Sequence, residues 1–175
     1  TKRLQKMSKK KTICVSGGFD PVHIGHLRMM QEAALYGDVI AIVNSDEWLM
    51  RKKGYIFMPF VERCEIIKGF SCVNTTSYVQ DLDNSVCEAL ERLRPDYFAN
   101  GGDRKTNNTP EMNLCEELGI NLLWSVGGGK IQSSSTLVND AGMLIEEATD
   151  EDGVDITPSR VDIISSGDIP KASDY

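Results

Sequence analysis

The stretch "TICVSGGFDPVHIGHLRMMQEAALYGDVIAIV", residues 12–43, decides the fold. Its first five residues, 12–16, are a short apolar, β-branched run that stops at the pair Gly17-Gly18, the pattern of a buried strand. A helix is predicted over 25–36, with Leu27, Met30, Ala34 and Leu35 at helical spacing. "DVIAIV" (38–43) is a second buried strand. Two apolar strands joined by one helix are a parallel pair with a right-handed crossover. Between the first strand and the helix lie Asp20-Pro21, a turn, and then both of the chain's histidines, His23 and His26.

The same alternation continues outward. Residues 59–70 read as a helix with Pro59 in its first turn, 72–79 as a strand, and 84–93 as a helix capped by Asp83 or Asn84. A strand at 96–100 comes after Pro95, a helix at 110–119 has proline first and glycine last, and 120–126 is a further strand. The serines 133–135 open a helix over 133–147. The predicted fold is therefore α/β: a Rossmann-like, open, doubly wound parallel sheet of about five strands with helices on both faces. Ligands of such sheets bind outside the carboxyl ends of the strands, near the topological switch, which is where the histidines fall.

At 175 residues the chain is long enough for one domain with a real core. Its net charge of −7 is unevenly spread: residues 1–11 hold six Lys/Arg and no acid, while 146–175 hold nine acids against two bases. This divides the chain into a basic N-terminal arm (1–11), a central domain (12–148) and an acidic tail (149–175), read as mobile or as a partner-binding strap. The acidic body argues against a nucleic-acid partner. No apolar run approaches the ~20 residues of a membrane span, and no secretory pattern comes after the basic arm, so a cytoplasmic location is expected. Cys14, Cys64, Cys72, Cys87 and Cys115 are odd in number and form no C-x-x-C pair, the pattern of reduced thiols.

His23 and His26 lie three apart, so at a helix start both can face one ligand. The helix dipole and the unpaired N–H groups of the first turn favour an anion there, and phosphate oxygens fit. The stretch is neither G-x-x-x-x-G-K-[ST] nor G-x-G-x-x-G, and no third ligand residue accompanies the pair to suggest zinc.

"GGFDPVHIGHL" (17–27) resembles the H-x-G-H signature of the nucleotidylyltransferase superfamily. The resemblance continues in order through "GDVIAIVNSDE" (37–47), "RKKG" and "PFVER" (51–63), "RPDYFANGGDR" (94–104) and "SSST" (133–136). In pattern it is most similar to glycerol-3-phosphate cytidylyltransferases and heptose-phosphate adenylyltransferases. It implies transfer of a nucleoside monophosphate from CTP or ATP to a small phosphorylated sugar or polyol, with release of pyrophosphate and with Mg²⁺ accompanying the nucleotide. The metal's ligands are left unassigned. The resemblance gives His23, His26, Lys53 (or Lys52) and Arg63 catalytic roles. It places Gly17, Gly18, Phe19, Asp20, Gly101, Gly102, Asp103, Ser133, Ser134 and Ser135 around the nucleotide. Asp20 is read as a turn residue before Pro21 or as a magnesium ligand. Related enzymes are often dimers, so a homodimer is a further expectation.

Three departures bear on the substrates. Cytidylyltransferases usually carry an arginine five residues before the first serine of the last motif, whereas here that place is Gly128, with Lys130 two residues later. Ser-Ser-Ser replaces Ser-Thr-Thr, and "GGDRKTNNTPE" (101–111) adds Arg104, Lys105 and Asn107 as candidate acceptor contacts. "KMSK" (6–9) precedes the nucleotide fold and is set aside as a chance match to a synthetase motif. Two alternatives stay open: a nucleotide-binding module without turnover, and a pantetheine-phosphate or nicotinamide-mononucleotide type of adenylyltransferase.

Overall fold

The computed structural model describes residues 10–101 and 109–146. Five strands, β1 (Thr12–Gly17), β2 (Asp38–Val43), β3 (Thr75–Ser77), β4 (Tyr97–Gly101) and β5 (Asn121–Val126), pair in the order β3-β2-β1-β4-β5. Every pairing is parallel, and β1 runs in register with β2 from Thr12 against Asp38 to Gly17 against Val43. Six helices join them: α1 (Ile24–Ala33), α2 (Asp46–Lys53), α3 (Phe60–Lys68), α4 (Cys87–Leu93), α5 (Pro110–Leu118) and α6 (Ser134–Glu146). The expected doubly wound sheet is present, and its direction of winding reverses at β1, which has β2 on one side and β4 on the other.

Strand alternation divides the core in two. Ile13 and Val15 of β1 face a cluster with Met30 and Ala33 of α1 and Ile67 of α3. Cys14, between them, faces the opposite layer with Leu90 of α4 and Cys115 of α5. Both faces of the sheet are therefore covered, as a parallel sheet requires. All five cysteines are free, and burial pushes the Cys14 thiol up to about 12.

Several elements differ from expectation. α1 stops at Ala33 and buries Met29, Met30 and Ala33, while Ala34 and Leu35 are exposed in the turn beyond it. The third strand is only Thr75–Ser77, and α4 begins after Val86 without a side-chain cap, because Asp83 spends its carboxylate on the N–H and hydroxyl of Ser85. One helix, α2, is absent from the sequence-based expectation. It has a Ser45 cap accepting from Trp48 N, acids in its first turn, bases in its last, and Gly54 beyond it at φ 80°. Residues 51–53, which open the "RKKG" motif, are the end of this helix.

Candidate active site

The two imidazoles cap the helix they begin. His23 Nδ1 accepts from the Gly25 N–H at 3.1 Å, and His26 Nδ1 accepts from the His23 N–H at 3.2 Å. This reciprocal cap uses ring nitrogens where Ser and Glu usually serve. The rings stack with centroids 3.7 Å apart and planes inclined by 22°. Gly25 is required between them, since a Cβ there would sit 2.9 Å from His23 Cε1. Phe19, at φ 51° and buried, stands edge-on to His26 at 5.0 Å and fixes its ring from behind.

This geometry determines the protonation state. A Nδ1 that accepts a backbone N–H carries no proton, so the neutral ring bears its proton on Nε2. Burial first, then the neighbouring His23 and Lys53, lower His26 to about 3. Burial, Lys53 and Lys130 likewise lower His23. At neutral pH both rings are uncharged, and each has one Nε2–H to donate.

Both histidines line a cleft of about 890 Å³ across the carboxyl edge of the sheet. Gly17, Lys52, Lys53 and Ser133–Ser135 line it too, so residues singled out from three separate motifs meet at one place. Lys53 Nζ donates to the Asp20 carbonyl at 3.0 Å, which holds the ammonium at the cleft, and its pKa is lowered chiefly by burial. Ser134 Oγ donates to the Pro21 carbonyl at 2.8 Å, binding the start of α6 to the turn before α1. The first helical bond of α6 runs from Leu137 N to Ser133 O, so the free N–H groups of that helix open beside Ser133–Ser135.

Four expected site residues are instead the frame behind the cleft. Arg63 is fully buried, and its Nη1 donates to the Gly18 carbonyl (2.6 Å) and the Asn44 carbonyl (2.8 Å). Its Nε donates to the Met58 carbonyl, and its Nη2 meets Asp46 at 2.6 Å. With those donors spent inside the protein, Arg63 binds the ends of β1 and β2 to α2 and does not face the cleft. Gly18 gives it an acceptor, and Phe19 backs the histidines. Asp20 is fully buried, its two carboxylate oxygens accepting from Phe57 N (2.7 Å) and Met58 N (2.6 Å). Burial raises its pKa against the pull of those N–H groups. The Asp20 carboxylate, expected to cap the turn before Pro21 or to bind magnesium, instead pins the 57–58 backbone. Gly101 ends β4 opposite Val126, across a register irregularity. Gly102, Asp103, Arg104, Lys105 and Asn107 lie outside the described residues.

The structure also adds residues that sequence reasoning passes over. Trp48 and Arg51 reach the cleft from α2, and Asn84 and Glu111 from the β3–α4 loop and the first turn of α5. The cap signature of α2 is the signal that could have found the first two. The glycines 127–129 form one wall. Gly127, at φ 89°, lies where a Cβ would be 2.7 Å from the Met29 Cα, and its N–H donates to Glu32 of α1 at 2.6 Å.

Comparison with known proteins agrees with this architecture. The cytidylyltransferase-like family matches residues 14–166. The bifunctional protein HldE of Streptomyces coelicolor is 35% identical over 112 residues, covering 62% of this chain and 24% of that protein. The protein of the same name from Hydrogenovibrio crunogenus is 35% identical over 124 residues, covering 68% and 23%. The chain thus spans about a quarter of the length of these curated relatives. The crystal structure of a lipopolysaccharide core biosynthesis protein from Thermoplasma volcanium has the same fold, with a TM-score of 0.55 at 21% identity over 66% of this chain and 93% of that one. Among the described residues no helix is long and apolar enough to cross a membrane. The matched span takes in nearly all of the sheet, the histidine-capped helix and the cleft, and the chain belongs to the cytidylyltransferase-like family.

Proposed function

We propose that this chain transfers a nucleoside monophosphate from ATP or CTP to a small phosphorylated sugar or polyol, releasing pyrophosphate. The observation that carries the reading is the pair of neutral imidazoles whose Nδ1 atoms are fixed by backbone N–H groups and whose Nε2–H groups are left to donate. Such rings are poor bases, and the reaction needs none. A phosphate monoester, with a second pKa of about 6, is already ionised at neutral pH. One of its oxygens attacks the α-phosphorus in line, the bond from that phosphorus to the bridging oxygen breaks, and pyrophosphate leaves with the electron pair.

What the chain must supply is alignment and charge stabilisation. His23 and His26 donate to the triphosphate, Lys53 and Lys130 neutralise it, and the start of α6 at Ser133–Ser135 receives its distal phosphates. One preorganised donor of this kind is worth about 3 kcal/mol in the transition state. ATP is the first donor to try, because Gly128 stands where a cytidylyltransferase-type arginine would be. Magnesium would enter with the triphosphate and neutralise part of its charge. Among the described residues no group of three His, Cys, Asp or Glu could hold it, and both Asp20 oxygens are occupied by N–H groups.

The test is thermal-shift screening of the four nucleoside triphosphates with Mg²⁺, and then pyrophosphate release against glycerol 3-phosphate and sugar phosphates. A nucleotide at a hundred times its Kd stabilises the fold by about 2.7 kcal/mol, so the preferred base stands out. Nucleotide binding without pyrophosphate release from any acceptor would leave a binding module in its place.

A further inference from the structure

The residues lining the cleft fall into two groups by the elements that carry them. One group follows β5: the Gly127–Gly129 loop, Lys130 and the start of α6. The other belongs to the segments beyond the carboxyl ends of β2, β3 and β4: α2, the loop through Asn84, and the first turn of α5. Resting on the transferase reading above, we infer that this second group lines the acceptor subsite. In it Arg51 grips the acceptor's phosphate, and Glu111 with Asn84 receives its hydroxyl groups.

Arg51 is held before any ligand arrives. Its Nη2 donates to the Asp81 carbonyl at 2.6 Å and its Nε to the Asn84 side-chain oxygen at 3.3 Å. Asp81 is itself immobilised, with only 3% of its surface exposed. Its carboxylate accepts from Asn44 Nδ2 (3.0 Å), Ser45 N (2.9 Å) and Ser45 Oγ (2.6 Å). The loop that carries Asp81 is thereby fastened to the end of β2 and the cap of α2, the helix that carries Arg51 in its last turn. Among the described residues Arg51 Nη1 has no partner, so one edge of a fixed, always-charged fork remains for an anion.

Across from it, Glu111 uses Oε1 to accept from Val86 N at 3.1 Å. Its Oε2 has no partner among the described residues, and neither has the Asn84 side-chain NH₂ or the Trp48 indole N–H. A guanidinium edge beside one free carboxylate oxygen, an amide donor and an indole suits a ligand that carries a phosphate on a hydroxylated carbon chain. A bare anion would not use the carboxylate. A second nucleotide offers fewer hydroxyl groups and needs more length.

The test titrates the full chain, loaded with an α,β-methylene nucleoside triphosphate, with three probes: inorganic phosphate, glycerol 3-phosphate and mannose 1-phosphate. The wild type is expected to bind at least one phosphorylated alcohol more tightly than inorganic phosphate. Arg51→Ala should weaken that probe tenfold or more, and Arg51→Lys, which keeps the charge but not the fork, by less. Glu111→Gln should weaken the phosphorylated alcohol and leave inorganic phosphate unchanged. Nucleotide affinity should stay within about twofold in all three variants, which an effect on α2 stability alone would not produce. Wild-type binding of none of the probes, or equal losses of probe and nucleotide in Arg51→Ala, overturns the assignment. Failure of the transferase reading looks different: phosphorylated probes bind in an Arg51-dependent way while no nucleotide binds or no pyrophosphate is released.

Discussion

Replacing His26 with glutamine tests the protonation state on which the chemistry depends. Burial, His23 and Lys53 hold the His26 pKa at about 3 in the folded chain, against an ordinary value of 6.5. Between those values the unfolded chain binds a proton that the folded chain refuses, so stability rises with pH through this window and falls on acidification. The difference accumulates at about 1.4 kcal/mol per pH unit below 6.5, or about 2 kcal/mol between pH 7 and pH 5 for this one ring. His23, also lowered, adds in the same direction. Asp20, raised by burial, works oppositely, since its folded carboxyl takes up a proton earlier than the unfolded one. The useful quantity is therefore the difference between wild type and His26→Gln, in which the Asp20 contribution cancels. Urea unfolding at pH 7 and pH 5 measures it. The wild type should lose about 2 kcal/mol more than the variant over that interval. Equal losses would mean that His26 is protonated in the folded state near its ordinary pKa, and the neutral-donor argument would fail.

Other positions give separate tests. Glu32→Gln removes a charge from the 2.6 Å contact that holds Gly127. Nucleotide Kd should rise by roughly tenfold, about 1.4 kcal/mol and so just under the ~1.5–3 kcal/mol of charged hydrogen bonds, while the melting temperature changes little; calorimetry reads both. Asp20→Ala orphans the N–H groups of Phe57 and Met58 and should cost about 2–4 kcal/mol in urea unfolding, with Asp20→Asn, which can still accept one bond, costing less. Ile67→Ala empties a fully buried place between α3 and the sheet and should cost about 2–5 kcal/mol, a figure that chemical denaturation checks.

Much of the fold is legible in the sequence because its signals are local. The run Thr12–Gly17, the strand Asp38–Val43 and the proline-to-glycine helix Pro110–Leu118 are each written in a handful of neighbouring residues. α2 escapes for the opposite reason: its charged sequence carries a weak apolar signal, and only its caps announce it. The fate of Arg63 is not legible at all. A basic residue near a phosphate motif looks like a ligand, and only folding brings the carbonyls of Gly18, Asn44 and Met58 around its guanidinium. Arg51 shows the converse. Its importance depends on Asp81, far along the chain, whose carboxylate is committed to Asn44 and Ser45. The histidines are recognisable as a pair from their spacing, but their tautomers require the backbone N–H contacts.

The most direct measurement is steady-state pyrophosphate release by wild type and His23→Ala with the preferred nucleotide and acceptor, alongside nucleotide Kd from calorimetry. If neutral Nε2–H groups stabilise the charge that develops at the α-phosphate, His23→Ala should lower kcat about a hundredfold while nucleotide Kd changes only a few-fold. A kcat equal to that of the wild type would contradict the account.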